Sequence, residues 1–343
     1  MSSEKDCLIK DIRENQQVEG VFLVKEVGRA ETRNGNPYLN LVLADRSGEM
    51  AGRVWEDADR WLPACPAGGI VRVNGLAQSF KGVLQLKIGT VAAVPEGEAD
   101  LARFVPAAPG NHQAMAAEVL KIAKGVADPY LRELLLAFFR DRKFFAAYKT
   151  APAAKNMHHA YLGGLLEHSL GVARLAAKVA DLYPDIDSSL LLAGALLHDV
   201  GKVEEFSFAA YPFDYTDSGR LVGHHVLGVE LVQARIAGIP GFPRELAVRL
   251  KHLILSHHGR PEFGPAVPMM LEAFILNFLD DLDAKVNYLR RLGSQTQASG
   301  YQWTDYQRTL ERFLYVLGRP ESNHGEEGGE PAIDPRQQNL WQP

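Results

Sequence analysis

Cysteine is nearly absent: Cys7 and Cys65 are the only two in 343 residues. That excludes a disulfide framework and a thiolate zinc site. Long apolar runs are missing too, since no stretch approaches the roughly 20 residues of a membrane span. Met1-Ser2-Ser3-Glu4-Lys5-Asp6 carries no apolar core of a signal peptide. These absences predict a cytoplasmic protein with no membrane partner. A strong excess of one charge is also lacking, and the net charge of −5 gives no global argument for nucleic acid. No internal repeat is visible. What remains is a mixed-charge chain that is 46% hydrophobic, long enough for two domains with separate cores.

The charge is unevenly spread. Residues 1–100 hold 12 Lys/Arg against 15 Asp/Glu, whereas residues 101–155 hold 9 against 4. The second stretch, with Arg140, Arg142, Lys143, Lys149 and Lys155, reads as a basic helical connector, either a solvated face or a phosphate-facing one. Residues 17–95 alternate apolar and polar in short runs, which predicts strands over Val18–Val27, Tyr38–Ala44, Glu49–Trp55, Ile70–Ala77 and Val83–Val94. Asn34-Gly35-Asn36-Pro37 and Asp45-Arg46-Ser47-Gly48 are turn signals between them. Five strands in about 80 residues suggest a small all-β OB-type barrel. From Asn111 onward the period becomes helical. It predicts an all-α bundle with helices over 112–125, 128–141, 158–182, 188–200, 223–237, 243–257 and 267–292, and another over 303–317. Phe206–Val222 reads as an inserted loop or hairpin. The Gly/Glu/Pro/Gln-rich residues 319–343 read as a disordered tail.

Nine of the eleven histidines fall between residues 158 and 258. They run as His168, His198-Asp199, His224-His225 and His257-His258, with Asp280 beyond. A lone histidine on an apolar helix is most often a core residue. Here, however, the apolar run Leu190–Leu197 ends in His198-Asp199 and then Gly201. Adjacent helical residues diverge by about 100°, so this pair can reach one ion only where the helix ends. A buried Asp needs a positive partner, and a metal supplies one. Imidazole and carboxylate together suit divalent Mn, Fe or Zn. Lys202, three residues past Asp199, is placed to neutralise a phosphate oxygen; the alternative is a surface lysine. By the same helical divergence His225 should point away from His224. His252 and His324 carry no functional expectation.

The stretches His158–His168, Leu197–Lys202, Gly223-His224, Ser256–Gly259 and Leu279–Lys285 resemble the HD-domain phosphohydrolase superfamily. With the barrel in front, the chain is most similar to YhaM-type 3′→5′ exoribonucleases, which join an OB domain to an HD domain. The resemblance implies an OB-fold nucleic-acid-binding domain over 1–100, the connector over 101–155 and an HD domain over 156–318. It also implies a metal site of His168, His198, Asp199 and Asp280, with Asp199 bridging two ions and His224 and His257 completing the second. His258 is then a ligand or a phosphate contact. The family motif favours Asp280 as the ligand, with Asp283 orienting a ligand histidine. The catalytic pair is Asp199 and Lys202, and His159 is a candidate substrate contact. The cofactor is expected to be two divalent ions, manganese first, with Fe, Co and Mg as alternatives.

OB folds bind single strands by stacking bases on exposed aromatics beside basic residues. Tyr38, Trp55 and Phe80 are the candidates here, with Arg33, Arg53, Lys81 and Lys87 near them in sequence. Each has the competing reading of a barrel core residue. The expected activity is exonucleolytic hydrolysis of single-stranded RNA, with single-stranded DNA as a second substrate. A phosphohydrolase of nucleotides or cyclic nucleotides is the alternative, and a non-catalytic nucleic-acid-binding protein a further one. The sequence leaves oligomeric state open, a homo-oligomer included.

Overall fold

Leu39, Leu41 and Leu43 alternate with residues of the opposite face, and so do Val71, Val73 and Ala77 on another strand; each set is buried. A two-residue period with one apolar side closes most economically into a barrel. The computed structural model shows that barrel, and it describes residues 7–32, 34–80, 82–95, 103–104, 110–155, 159–208, 213–262, 264–294 and 300–318. The strands are β1 (Gln17–Glu31), β2 (Pro37–Asp45), β3 (Gly48–Val54), β4 (Ile70–Phe80) and β5 (Val83–Ala93), with a short helix α1 (Ala58–Trp61) between β3 and β4. They close in the order β1-β2-β3-β5-β4, with β3 parallel to β5 and the other pairs antiparallel. A bulge at Asn74/Gly75 bends β4 against β5. A Cβ at Gly75 would collide with the Lys87 carbonyl, so only glycine permits that approach.

The helices are α2 (His112–Gly125), α3 (Pro129–Phe139), α4 (Arg142–Thr150), α5 (Gly164–Leu182), α6 (Ser188–Leu197), α7 (Lys202–Glu205), α8 (Asp217–Leu221), α9 (His224–Ile236), α10 (Arg244–Ser256) and α11 (Leu271–Ser294). Their starts are written locally. Asn111, Asp128, Asp141 and Asp187 each accept hydrogen bonds from backbone amides of the first turn of α2, α3, α4 and α6. Between α7 and α8 lies the small hairpin β6 (Phe206–Ser207) and β7 (Asp214–Tyr215), as the sequence suggested.

The stretch read as a connector holds α2, α3 and α4, and their apolar faces are part of the helical core. Val119, Leu131, Leu134, Leu135, Phe138 and Tyr148 are buried in the same cluster as Leu165, Leu191, Leu196, Leu253 and Leu276. The basic side chains of this stretch decorate a structural layer. A small separate cluster of Leu23, Ala44, Phe104, Leu162 and Phe213 joins barrel residues to residues of the helical part.

The chain divides into two compact units, Met1–Asn287 and Tyr288–Pro343. Residues 303–317, expected to be helical, lie in a hairpin of β8 (Gly300–Trp303) and β9 (Tyr315–Gly318). Tyr301 stacks on Tyr315 at 5.3 Å, and Trp303 packs on Tyr315 at 5.1 Å. Cross-strand aromatic pairs of this kind favour a ribbon over a helix. The proposed tail 319–343, together with Arg33, Lys81, His158 and residues 96–102 and 105–109, lies outside the described residues. Among the described residues, no helix is long and apolar enough to cross a membrane.

Candidate metal centre

Six helices and the turns between them deliver their polar residues to one buried point. His168 projects from the first turns of α5, and His198 caps the C-terminus of α6. Asp199 follows in the turn before α7, whose first residue is Lys202. His224 and His225 open α9, His257 and His258 follow α10, and Asp280 and Asp283 lie on α11. The crowding needs glycine: a Cβ at Gly201 would collide with the His224 carbonyl and lie 2.6 Å from the Gly228 amide. That close approach brings the Asp199 turn against α9.

Asp199 is the centre of the arrangement, and only 1% of it is exposed. Its Oδ2 faces one group, 3.5 Å from His198 Nε2 and 3.7 Å from His168 Nε2. Within that group His168 Nε2 lies 3.0 Å from Asp280 Oδ1 and 3.2 Å from His198 Nε2. The other oxygen, Oδ1, lies 3.5 Å from both His224 Nε2 and His257 Nε2. One carboxylate thus faces two donor sets, one with each oxygen. His258, half-buried, sits beside the second set, its ring centroid 4.3 Å from that of His257.

In His168, His198, His224 and His257 the opposite nitrogen is anchored. His168 Nδ1 meets Asp283 Oδ2 at 2.8 Å, and His224 Nδ1 meets Glu205 Oε1 at 2.9 Å. His198 and His257 place Nδ1 on the carbonyls of Ala195 and Ile254, at 3.0 and 2.8 Å. With Nδ1 engaged outward, Nε2 is the nitrogen of each ring that is directed inward, as in metal-binding histidines.

Electrostatics point the same way. Burial opposes ionisation of Asp199, yet Lys202 Nζ at 2.6 Å and the neighbouring histidines hold its carboxyl well below the usual range. Burial likewise opposes charge on Asp280, and His168 reverses that strongly. Burial lowers the pKa of His168, but hydrogen bonds to Asp280 and Asp283 outweigh it and push the ring up to about 10. Burial, aided by Lys202, lowers His224 to about 3, and burial lowers His258 to about 4. The first donor set therefore pairs ionised carboxylates with a protonated imidazole, and the second consists of neutral imidazoles.

Asp199 Oδ1, His224 Nε2, His225 Nε2 and His257 Nε2 are buried without a hydrogen-bond partner. Leaving such atoms unsatisfied costs about 1–3 kcal/mol each. A divalent cation satisfies several at once, so the donor set fits a metal. Among the described residues, four groupings have donor atoms all within 4.8 Å of one another: His168/His198/Asp280, His198/Asp199/His257, His224/His225/His257/His258 and His159/His168/Asp283.

Two residues fall elsewhere than the sequence suggested. His159, read as a substrate contact, is 3% exposed, with Nε2 3.7 Å from Asp283 Oδ2 on the outer side of His168. His225, expected to point away, packs on His257 and His258. Glu205 was not singled out at all, and only the fold shows it gripping His224 by both its backbone amide and its ring.

On the barrel, Tyr38 and Trp55 stack with centroids 4.7 Å apart and planes 21° from parallel. They lie on the outer face of β2 and just past β3, and Trp55 is 39% exposed. Arg53 of β3 pairs in register with Lys87 of β5 on the same face. Phe80, also exposed, is not with them. It pairs with Val83 at the far end of the β4–β5 hairpin, whereas Trp55 follows Val54, the partner of Ile88.

A family model for the HD domain matches residues 165–285, the segment from just before His168 to just past Asp283. A second model, whose description names a helicase, spans 111–184. The second OB-fold domain of replication protein A from Methanococcus maripaludis aligns with 28% of this chain and 99% of its own, at 17% identity and a TM-score of 0.23. Among curated proteins, the 3′-5′ exoribonuclease YhaM of Geobacillus sp. (strain WCH70) is 34% identical over 284 residues, covering 80% of this chain and 85% of that protein. The YhaM of Oceanobacillus iheyensis is 34% identical over 318 residues, covering 90% and 96%. An HD domain implies a divalent metal, and the buried His/Asp cluster is where this chain can hold one. With barrel and helical bundle both inside the matched length, the chain belongs to the YhaM family of 3′-5′ exoribonucleases.

Proposed function

We propose that this protein hydrolyses single-stranded RNA from its 3′ end, with single-stranded DNA as a second substrate, using two divalent ions of which manganese is the first candidate. The observation that carries the reading is Asp199, whose two oxygens face two separate donor sets. His168, His198, Asp199 and Asp280 would hold one ion. Asp199, His224, His257 and His258 would hold the other. When bound, such a pair supplies Lewis acidity toward the phosphodiester and lowers the pKa of water toward neutrality.

The chain's own groups do the remaining work. Asp283 and Glu205 fix the tautomer and direction of His168 and His224, so donors are aimed before any ligand arrives. Lys202 keeps a cation against Asp199 in a buried site, where low dielectric strengthens its pull on a phosphoryl group gaining negative charge. Tyr38 and Trp55 offer a ready-stacked surface for a base, with Arg53 and Lys87 close by for the backbone.

The test is incubation with Mn²⁺ of separate pools of 5′-labelled single-stranded RNA, single-stranded DNA and mononucleotides. A ladder of 5′-labelled products shortening one nucleotide at a time is expected from RNA, and a slower one from DNA. Hydrolysis of mononucleotides alone would overturn the reading in favour of a nucleotide phosphohydrolase.

A further inference from the structure

His225 is the second residue of α9, next to His224. On an ideal helix adjacent side chains diverge by about 100°, yet these two rings lie with centroids 4.1 Å apart and planes 32° from parallel. Gly223, with φ +78°, turns the chain into the helix immediately before them, and no preceding helical turn constrains their direction. The His225 ring then stacks on His257 at 4.8 Å and meets His258 edge-on at 4.6 Å. One nitrogen from each of His224, His225, His257 and His258 lies within 4.8 Å of the others. Metal–nitrogen bonds of about 2.1 Å place opposite ligands about 4.2 Å apart, so small side-chain movements close this set on a cation.

The second observation concerns satisfaction. His225 is 7% exposed, and its Nε2 is buried with no hydrogen-bond partner. Packing alone gives no reason for a nitrogen there, because a phenyl ring would fill the same space without an unsatisfied polar atom. Four imidazoles converge where His224 and His257 already face Asp199 Oδ1.

We propose that His225 is a direct ligand of the second ion, which makes the two positions chemically unlike. The first offers two imidazoles and two carboxylates; the second offers four imidazoles and one carboxylate oxygen. Carboxylate-rich sets suit Mn²⁺, and imidazole-rich sets suit borderline ions such as Co²⁺, Ni²⁺ or Zn²⁺. The second position therefore selects a borderline cation and the first retains a manganese-type ion. This rests on the two-position reading above.

The experiment titrates metal-free full-length protein with Co²⁺, read by visible absorption and by equilibrium dialysis, with Mn²⁺ dialysis in parallel. Wild type should take up two Co²⁺ in two spectrally distinct steps, the tighter one not matched by Mn²⁺. His225→Phe keeps the bulk of the ring, and it should weaken the tighter Co²⁺ step at least 10-fold and change its spectrum, leaving the other step as it was. Unaltered steps and spectra in folded H225F would overturn the proposal. If H225F does not fold, His225→Gln is read by the same criteria. A wild-type protein that binds only one Co²⁺ would overturn the two-position reading itself, an outcome separate from a two-step wild type with an indifferent H225F.

Discussion

The barrel and the helical bundle treat buried polar groups in opposite ways. Inside the barrel, Val18, Phe22, Leu39, Leu41, Val73 and Leu86 make an apolar core. The buried carboxylate beside it, Asp45, is fully engaged, accepting from the backbone amides of Ile9 and Ser47 and from the Ser47 hydroxyl. In the helical bundle, His168, His198, Asp199, Lys202, Glu205, His224, His225, His257 and Asp280 are all buried, and several of their atoms have no partner. A buried carboxylate whose donors all come from its own chain is structural. One that leaves an oxygen orphaned among lone pairs marks a place for something the chain does not supply.

Removing the orphaned carboxylate should have the largest effect. Asp199→Ala should lower RNA hydrolysis by more than about 10³-fold, beyond the loss typical of a single electrostatic stabiliser, and should cut metal content measured by mass spectrometry, with helical circular dichroism retained. Near-normal turnover and metal content would erase the contrast with Asp45. Lys202→Ala comes next, with a loss of about 10²-fold in single-turnover rate at saturating metal. Its metal stoichiometry should stay unchanged, because Lys202 is a cation and not a donor.

Asp283→Asn sharpens the comparison from outside the donor set. It weakens the anchor of His168, and a drop of about 10- to 100-fold in metal affinity is expected by calorimetry, the range for groups that orient ligands. The same ring predicts a pH dependence. Without metal, His168 stays protonated up to about pH 10, so a cation must displace that proton. Apparent affinity should rise as pH goes from 6 to 9 and fall with acid; a flat profile would show that His168 is not a donor.

The smallest effects belong to the barrel. Trp55→Ala should raise KM on long RNA by about 10-fold, in line with about 1–3 kcal/mol for a stacked base, with little change on a dinucleotide. Phe80→Ala, at the other end of the hairpin, should change neither. Equal effects at the two positions would remove the case for a local stacking platform.

Much of this was legible beforehand because it is periodic or terminal. Strand alternation located β1 to β5 within a few residues, and the apolar run ending in His198-Asp199 marked a helix end carrying ligands. What could not be read depends on register or on departures from ideal geometry. Nothing in the spacing says that Phe80 lies far from Trp55, since that follows from how β3 and β4 align with β5. His225 was misjudged by applying mid-helix angles to the first turn of a helix. The hairpin at 300–318 was hidden because Tyr301, Trp303 and Tyr315 find each other across strands, a pairing that helical period counting does not register. The signal for α4 was present in Asp141, a capping residue, but it was absorbed into a basic stretch read for its charge.

The anchoring of the imidazoles has an evolutionary consequence. His198 and His257 are held by the main-chain carbonyls of Ala195 and Ile254, which no amino-acid exchange removes. His168 and His224 are held by the side chains of Asp283 and Glu205, either of which one codon change can replace. Half of the centre is thus hard-wired into helix ends and half is adjustable, so adaptation to a different supply of metal ions can proceed in small steps at Asp283 and Glu205 without touching a donor.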